Sequence, residues 1–309
     1  MSSVLVFGSA NMDIQTHVLR HPLPGETIKG ENTSYSPGGK GANQAVAATL
    51  CGAKVHFIGA VGRDSFGDEM MATMKRAGID VDGMIRVDTS TGVAFITVDE
   101  KGENSIILSE GANGFLNVDS LYEHFKRLKD VSIILLQNEV PWESTLRSAQ
   151  FAHEQGVSVW LNPAPMPNQE ELFAILPYTD LLILNEWEAK VATGITILDI
   201  DHAKEVGLTL ISRGVREILI TLGEKGNYWI SKHHEGIYTP AIPVEVVDTT
   251  AAGDTFIGVL CAERLRGNSI ESALKTASIG AALAITREGA QKSMPNREEI
   301  MNYLTKSNG

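Results

Sequence analysis

Three clusters in this chain join glycines or other small residues to a polar side chain, the combination that lets backbone meet a ligand. The first is Asp248-Thr249-Thr250-Ala251-Ala252-Gly253-Asp254-Thr255-Phe256, preceded by the strand-like run Val244 to Val247 and followed by a helical pattern. Ala251, Ala252 and Gly253 leave their backbone N–H groups bare, and a helix starting there offers unpaired donors at the positive end of a dipole. Such a place binds anions and suits a phosphoryl group in transfer. Asp254 falls in the first turn, where a carboxylate can take a proton from an attacking hydroxyl. A carboxylate that only stabilises its own helix is the plainer alternative.

The second cluster, Gly38-Gly39-Lys40-Gly41-Ala42-Asn43-Gln44, leads into the helical run Ala45 to Ala48. Consecutive glycines permit close approach of the backbone to a ligand. Asn43 presents donor and acceptor together, as sugar hydroxyls require; a turn closing on a helix is the structural alternative. The third, Thr221-Leu222-Gly223-Glu224-Lys225-Gly226, ends a strand-like run. Ligands in open α/β sheets bind beyond the carboxyl ends of strands, which places a nucleotide here, or equally a hairpin turn. GxxxxGK[ST], a strand-linked GxGxxG, HExxH and GxSxG are all absent, which argues against P-loop, dinucleotide-binding, zincin and α/β-hydrolase chemistry.

The elements that must hold these clusters alternate along the chain. Apolar β-type runs at Val4 to Phe7, Val55 to Val61, Val131 to Leu136, Val157 to Leu161, Leu181 to Leu184 and Glu217 to Thr221 are separated by helical stretches at Gly67 to Ala77, Leu116 to Leu128, Trp142 to Gln155 and His202 to Arg213. Strands apolar on both faces and alternating with helices imply an α/β fold: a doubly wound, mostly parallel sheet with helices on both faces. The C-terminal part, Ala252 to Gly267, Ser269 to Thr286 and Arg297 to Leu304, reads as successive helices. Gly25 to Ser36 is polar and turn-rich. Gly92 to Val98 and Ser105 to Leu108 form a hairpin in which Val93 and Phe95 point one way and Ala94, Ile96 and Val98 the other. Both faces need cover, so a small sheet outside the main one would set one face over a ligand and one against another subunit; an extra antiparallel edge of the main sheet is the alternative. We expect a single domain over 1–309, with a small β lid formed by insertions 15–37 and 92–109.

Of 309 residues, 26 are Lys or Arg and 38 are Asp or Glu, a formal charge of −12. That lacks the basic footprint of nucleic-acid and anionic-membrane binders, and no apolar run approaches the ~20 residues of a membrane helix. The four tryptophans are scattered, giving no stacking platform for bases. Cys51 and Cys261 are far apart and outside any CxxC pair, so we read them as small buried hydrophobes rather than a zinc or redox site. Met70, Met71 and Met74 read as core packing, and His233-His234 as a hairpin tip. The N-terminus reads as a strand rather than a signal peptide, so the cytoplasm is the expected compartment.

Asn11-Met12-Asp13, Gly-Gly-Lys-Gly-Ala-Asn-Gln at 38 to 44, Asn162-Pro163-Ala164-Pro165, Asn185-Glu186-Trp187-Glu188 and the Asp248 to Asp254 cluster, in this order from Gly8 to Pro295, resemble the ribokinase-like carbohydrate kinases. The resemblance implies ATP-dependent phosphorylation of a sugar's primary (5-) hydroxyl, D-ribose giving ribose 5-phosphate. Deoxyribose, another sugar or a nucleoside are the alternatives within the family, and a non-catalytic sugar-binding regulator lies outside it. By motif, Asn11, Asp13, Gly39, Lys40, Asn43 and Glu139 would hold the sugar, and Asp254 would be the general base. Ala251, Ala252 and Gly253 would form the anion hole. Asn185 and Glu188 would help place Mg²⁺ and phosphates, chiefly through water. Thr221, Gly223 and Gly226 would line the nucleotide, with Ser278 at a nucleotide-site position where relatives often carry Asn or His. Potassium would sit between Asp248 and Thr250 on one side and Ala284, Arg287, Gly289 and Ser293 on the other, held mainly by backbone carbonyls. The lid would cover the sugar and pair two subunits into a homodimer.

Overall fold

The structure is a computed structural model and describes residues 2–307. The chain opens with β1 (Ser3–Phe7), β2 (Asn11–Val18), β3 (Gly30–Gly38), α1 (Lys40–Leu50), β4 (Lys54–Gly62), α2 (Ser65–Arg76) and β5 (Asp80–Val87). It continues through β6 (Gly92–Val98), β7 (Asn104–Ser109), α3 (Val118–Phe125), β8 (Val131–Gln137), α4 (Trp142–Glu154), β9 (Ser158–Asn162) and α5 (Gln169–Ile175). Next come β10 (Leu181–Asn185), α6 (Glu186–Thr193), α7 (Ile200–Ile211), β11 (Glu217–Thr221), β12 (Asn227–Ser231) and β13 (His234–Thr239). Three helices close it: α8 (Ala252–Leu265), α9 (Ile270–Ala284) and α10 (Arg297–Ser307).

Nine strands form the central sheet, in the order β13-β12-β11-β10-β9-β8-β1-β4-β5. From β11 to β5 every neighbouring pair is parallel; β12 joins β11 and β13 antiparallel. Along most strands, side chains alternate between the two faces of the sheet. Val4, Val6, Ile133, Leu135, Ile183 and Leu219 pack with α1, α8 and α9 on one face. Leu5, Phe7, Ile134, Leu136, Leu184 and Ile220 pack with residues of α4 to α7 on the other. That two-sided burial is why these strands read as unbroken apolar runs. Both cysteines are buried and free, and Met70 and Met74 are core. Among the described residues no helix is long and apolar enough to cross a membrane.

The order of strands reverses between β1 and β8, since the chain winds outward to β4 and β5 on one side and to β9, β10 and β11 on the other. A crevice opens at the carboxyl ends of strands beside such a reversal. Helices α1 and α8 cross next to it at very short range. A Cβ on Gly258 would lie 2.5 Å from the Ala47 Cβ and 2.7 Å from the Gln44 carbonyl oxygen, so only glycine lets the two backbones approach this closely.

A second sheet, β3-β2-β6-β7, stands apart from the main one. It replaces the extra-edge alternative, and β3 runs through much of the stretch expected to be turns. The β6–β7 hairpin is as expected. Asp13 pairs with Ala94, which pairs with Leu108, so these share one face with Asn11. Tyr35, Ile14, Phe95 and Ile107 form a cross-strand row on the opposite face, and Phe95 and Ile107 are 48% and 69% exposed.

One expected strand is absent. Val244 to Val247 has no regular structure, because Pro240 and Pro243 precede it and no strand offers a ladder. The N–H groups of Val247 and Asp248 instead donate to the Ile285 carbonyl, at 2.8 and 3.2 Å.

Candidate active site

Asp254 sits in the first turn of α8 and is 7% exposed. Its carboxylate is gripped from α1: Asn43 Nδ2 donates to Oδ2 at 3.1 Å and Gln44 Nε2 to Oδ1 at 3.0 Å. Burial pushes its pKa up, while the Lys40 ammonium and the two amides pull it down. Ahead of it, Ala251 caps the helix in a left-handed conformation, φ 57°, which is costly for a residue with a Cβ. That twist starts the helix abruptly, so the N–H groups of its first turn have no carbonyl one turn back. One of the three expected anion-hole donors is already used: the Ala252 N–H donates to the Thr249 carbonyl at 3.2 Å. The reason is the tight turn that Ala251 closes. Ala251 and Gly253 remain as the donors free of that turn.

The sugar-site candidates come together around Glu139. Ser9 Oγ donates to its Oε2 at 2.6 Å, the Lys40 N–H at 3.0 Å and Asn11 Nδ2 at 3.4 Å. Glu139 thus does for α1 what its own cap cannot. The N-cap is Gly39 at φ 88°, which has no side chain, and a Cβ there would meet the Asn11 backbone nitrogen at 2.8 Å. Asn11 is aimed by Asn113, whose Nδ2 donates to Asn11 Oδ1 at 2.6 Å. Burial, reinforced by the charges of Glu139 and Asp254, pushes Asp13 up to about 7. Burial opposes the charge of Lys40, yet Asp254, Glu139, Glu188 and Asp13 together hold its pKa above the ordinary value.

A cavity of about 320 Å³ adjoins this cluster, lined by Lys40, Asn162, Asn185, Glu188, Thr221, Ala251, Ala252, Gly253 and Asp254, among others. Asn185 and Glu188 form a capping box at the start of α6: Glu188 N–H donates to Asn185 Oδ1, and Asn185 N–H to Glu188 Oε2, both at 2.8 Å. Burial pushes the Glu188 carboxyl up. Thr221 ends β11 and lines the cavity, and Gly223 and Gly226 frame the tight hairpin turn into β12, outside the residues that line it. Ser278 lies deeper, on α9, accepting from Asn227 Nδ2 at 3.0 Å and donating to the Leu274 carbonyl at 3.0 Å. It lies outside the residues that line the cavity.

Asp248 binds two loops. Its Oδ1 accepts from the Thr250 N–H (2.9 Å) and hydroxyl (2.6 Å), and its Oδ2 from the Gly289 N–H (2.8 Å). The Arg287 guanidinium is turned to Glu299, and Ser293 Oγ donates to the Ala290 carbonyl at 2.8 Å. Of the expected potassium-site residues, the structure joins Asp248, Thr250 and Gly289, while the Ala284 carbonyl accepts from the Arg287 N–H at 3.1 Å.

Four side chains missed at the sequence level complete the site: Ser9, Gln44, Asn113 and Gln137. Gln137, fully buried at the end of β8, donates from Nε2 to Gln44 Oε1 at 2.7 Å. Gln44 ends the Gly38–Gln44 cluster, and a glutamine directly before the small apolar run Ala45 to Ala48 was the available signal. The others lie 93 to 130 residues from their partners, where no spacing rule reaches.

Fold and site together define a class: an α/β phosphotransferase for a hydroxyl-bearing substrate, with a buried carboxylate beside bare helix N–H groups. The chain belongs to the pfkB family of carbohydrate kinases, whose profile matches residues 1–297. It is 37% identical over 307 residues to a ribokinase of Haemophilus influenzae, and 35% identical over 303 residues to a deoxyribokinase of Salmonella typhi, each covering 98% of both chains. Its fold is similar to that of Arabidopsis thaliana ribokinase complexed with ribose and ATP, with a TM-score of 0.88 and 32% identity over 98% of this chain and 99% of that one.

Proposed function

We propose that this sugar kinase transfers the γ-phosphoryl group of ATP to the primary 5-hydroxyl of D-ribose. One observation carries the reading: the polar side chains of Asn11, Asp13, Lys40, Asn43 and Glu139 gather beside the carboxylate of Asp254, a set suited to the several hydroxyls of a sugar. The ribose and ATP bound by the Arabidopsis relative support it.

In the reaction Asp254 takes the hydroxyl proton as that oxygen bonds to the γ-phosphorus and the bond to the ADP oxygen breaks. The N–H groups of Ala251 and Gly253 and the Lys40 ammonium face the charge that develops. Asn185 and Glu188 would hold Mg²⁺ through water, and Asp248, Thr250, Ala284, Arg287, Gly289 and Ser293 would hold K⁺. When bound, these cations neutralise phosphate charge and fix the anion-hole loop. Thr221, Gly223 and Gly226 line the nucleotide, with Ser278 behind them. The small sheet closes over the sugar with the face that carries Asp13 and Leu108, excluding water that would hydrolyse ATP. Its other face, carrying Phe95 and Ile107, pairs with a second copy to make a homodimer. The cytoplasm, where ATP is held, is its compartment.

A second reading, 2-deoxyribose as substrate, is favoured by the deoxyribokinase relative. A coupled kinase assay with ribose, 2-deoxyribose, fructose and adenosine, with and without potassium, separates the two. The highest kcat/KM for ribose, with potassium activation, is expected. Higher kcat/KM for 2-deoxyribose would replace the first reading by the second.

A further inference from the structure

Away from the crevice, the far edge of the main sheet gathers three side chains that phosphoryl transfer does not use. His56 lies on β4, Asp80 opens β5, and His124 is in the last turn of α3. Their ligating atoms all lie within 4.8 Å of one another. His56 Nδ1 and Asp80 Oδ2 are 2.7 Å apart. His124 is 7% exposed, and its Nε2 is buried with no hydrogen-bond partner. An unpaired buried ring nitrogen is rare and costly, and calls for an explanation.

We propose that His56, Asp80 and His124 bind one divalent transition-metal ion of the zinc type, which fastens α3 to the edge of the sheet. Two imidazole nitrogens and a carboxylate oxygen are the donor set of three-ligand zinc sites, whose fourth position is taken by water. The ion takes the place of the hydrogen bond between His56 Nδ1 and Asp80 Oδ2, with any proton on Nδ1 released or moved to Nε2. The orphaned Nε2 of His124 gains its missing partner. The other oxygen of Asp80 already accepts from the Asp82 N–H at 3.0 Å, which fixes the carboxylate's orientation as an outer-shell partner does. Asp80 is partly exposed and opens the path by which an ion enters. Mg²⁺, which prefers six oxygens, does not compete for nitrogen donors.

The test is calorimetric titration of the chelator-treated full chain with Zn²⁺ alone, without nucleotide and in excess Mg²⁺, beside cobalt absorption spectroscopy and thermal melting. One ion per chain, tetrahedral cobalt bands and a Tm rise of about 4 °C at zinc a hundredfold above Kd are expected. His124→Gln should weaken binding about 100-fold or more and abolish the Tm rise, with sugar-kinase turnover unchanged. If that variant folds poorly, Asp80→Asn carries the same expectation. No zinc binding by the parent chain, or binding of undiminished affinity in the variants, would overturn the proposal.

Discussion

Gln44 and Asp254, 210 residues apart, are joined by a 3.0 Å hydrogen bond from the Gln44 amide to the carboxylate that faces the crevice, and Gln44 is itself held by Gln137 at 2.7 Å. A buried carboxylate would drift toward its protonated form and lose its use as a base. This bond, with that of Asn43 and the charge of Lys40, opposes the drift. Replacing Gln44 by Leu should therefore raise the Asp254 pKa. The acid limb of the pH profile of kcat/KM should move to higher pH by about one to two units, the equivalent of one hydrogen bond to a charged group. An unshifted limb in that variant would show that Gln44 only packs.

Asp254→Asn keeps both amide contacts sterically possible but removes the proton acceptor. Turnover should fall by roughly 10²–10⁴, while nucleotide affinity measured by calorimetry stays near that of the parent. Turnover close to the parent's would exclude Asp254 as the base.

Asp13 combines burial with two carboxylate neighbours, and its pKa of about 7 far exceeds the ordinary aspartate value of 3.8. The sign follows from proton uptake. Between these values the folded chain binds the proton and the unfolded chain does not, so this group's favourable contribution is complete below the unfolded value. It is lost as pH rises through 7. Asp13→Asn should then stabilise the sugar-free protein by roughly 2–4 kcal/mol at pH 8 and by much less near pH 4, while raising the KM for sugar. Thermal melts at the two pH values decide it: equal Tm changes at both would show that the carboxylate is ionised throughout.

Asn113 holds Asn11 by a 2.6 Å bond and also meets the Ala10 backbone, its Oδ1 accepting from the Ala10 N–H at 3.0 Å. Asn113→Leu should raise the KM for sugar about tenfold with a smaller change in the KM for ATP, because a buried amide loses its partner on one side of the crevice only. Initial-rate kinetics varying each substrate in turn provide the check, and equal changes in both KM values would count against this role.

If the outer row of the small sheet pairs two copies, as proposed, charge placed on it should separate them without touching the inner face. Phe95→Lys with Ile107→Lys is expected to yield monomers by light scattering, with an unchanged melt of the main sheet. Persistence of dimers would move the interface elsewhere.

The buried parallel strands were legible because burial on both faces leaves an unmistakable apolar run. Glu217–Thr221 emerged with the bounds read from its sequence, and the others within a residue or two. Strand β5 escaped notice because its Asp80, Asp82 and Gly83 interrupt the apolar pattern of an edge strand, and β2 because its residues alternate toward a polar site. Val244 to Val247 shows the converse error, where apolar composition without a hydrogen-bonding neighbour makes no strand. In the site, the residues that would touch ligands lay in compact motifs. Those that aim them, Gln137 and Asn113 above all, act across the fold and leave no local pattern. The Asn185–Glu188 pair was read as ligand-placing. Its four-residue spacing also encodes a capping box, a signal that was open to reading.

The crossing of α1 and α8 at Gly258 joins the first fifth of the chain to the last. While the protein is being made, Asn11, Asp13, Lys40 and Asn43 emerge first and Glu139 later, but the Asp254 carboxylate and its helix follow only after β13. On the proposed mechanism, a nascent fragment that stops before α8 cannot hold a sugar and activate its hydroxyl together, so catalysis waits until α1 and α8 have found one another.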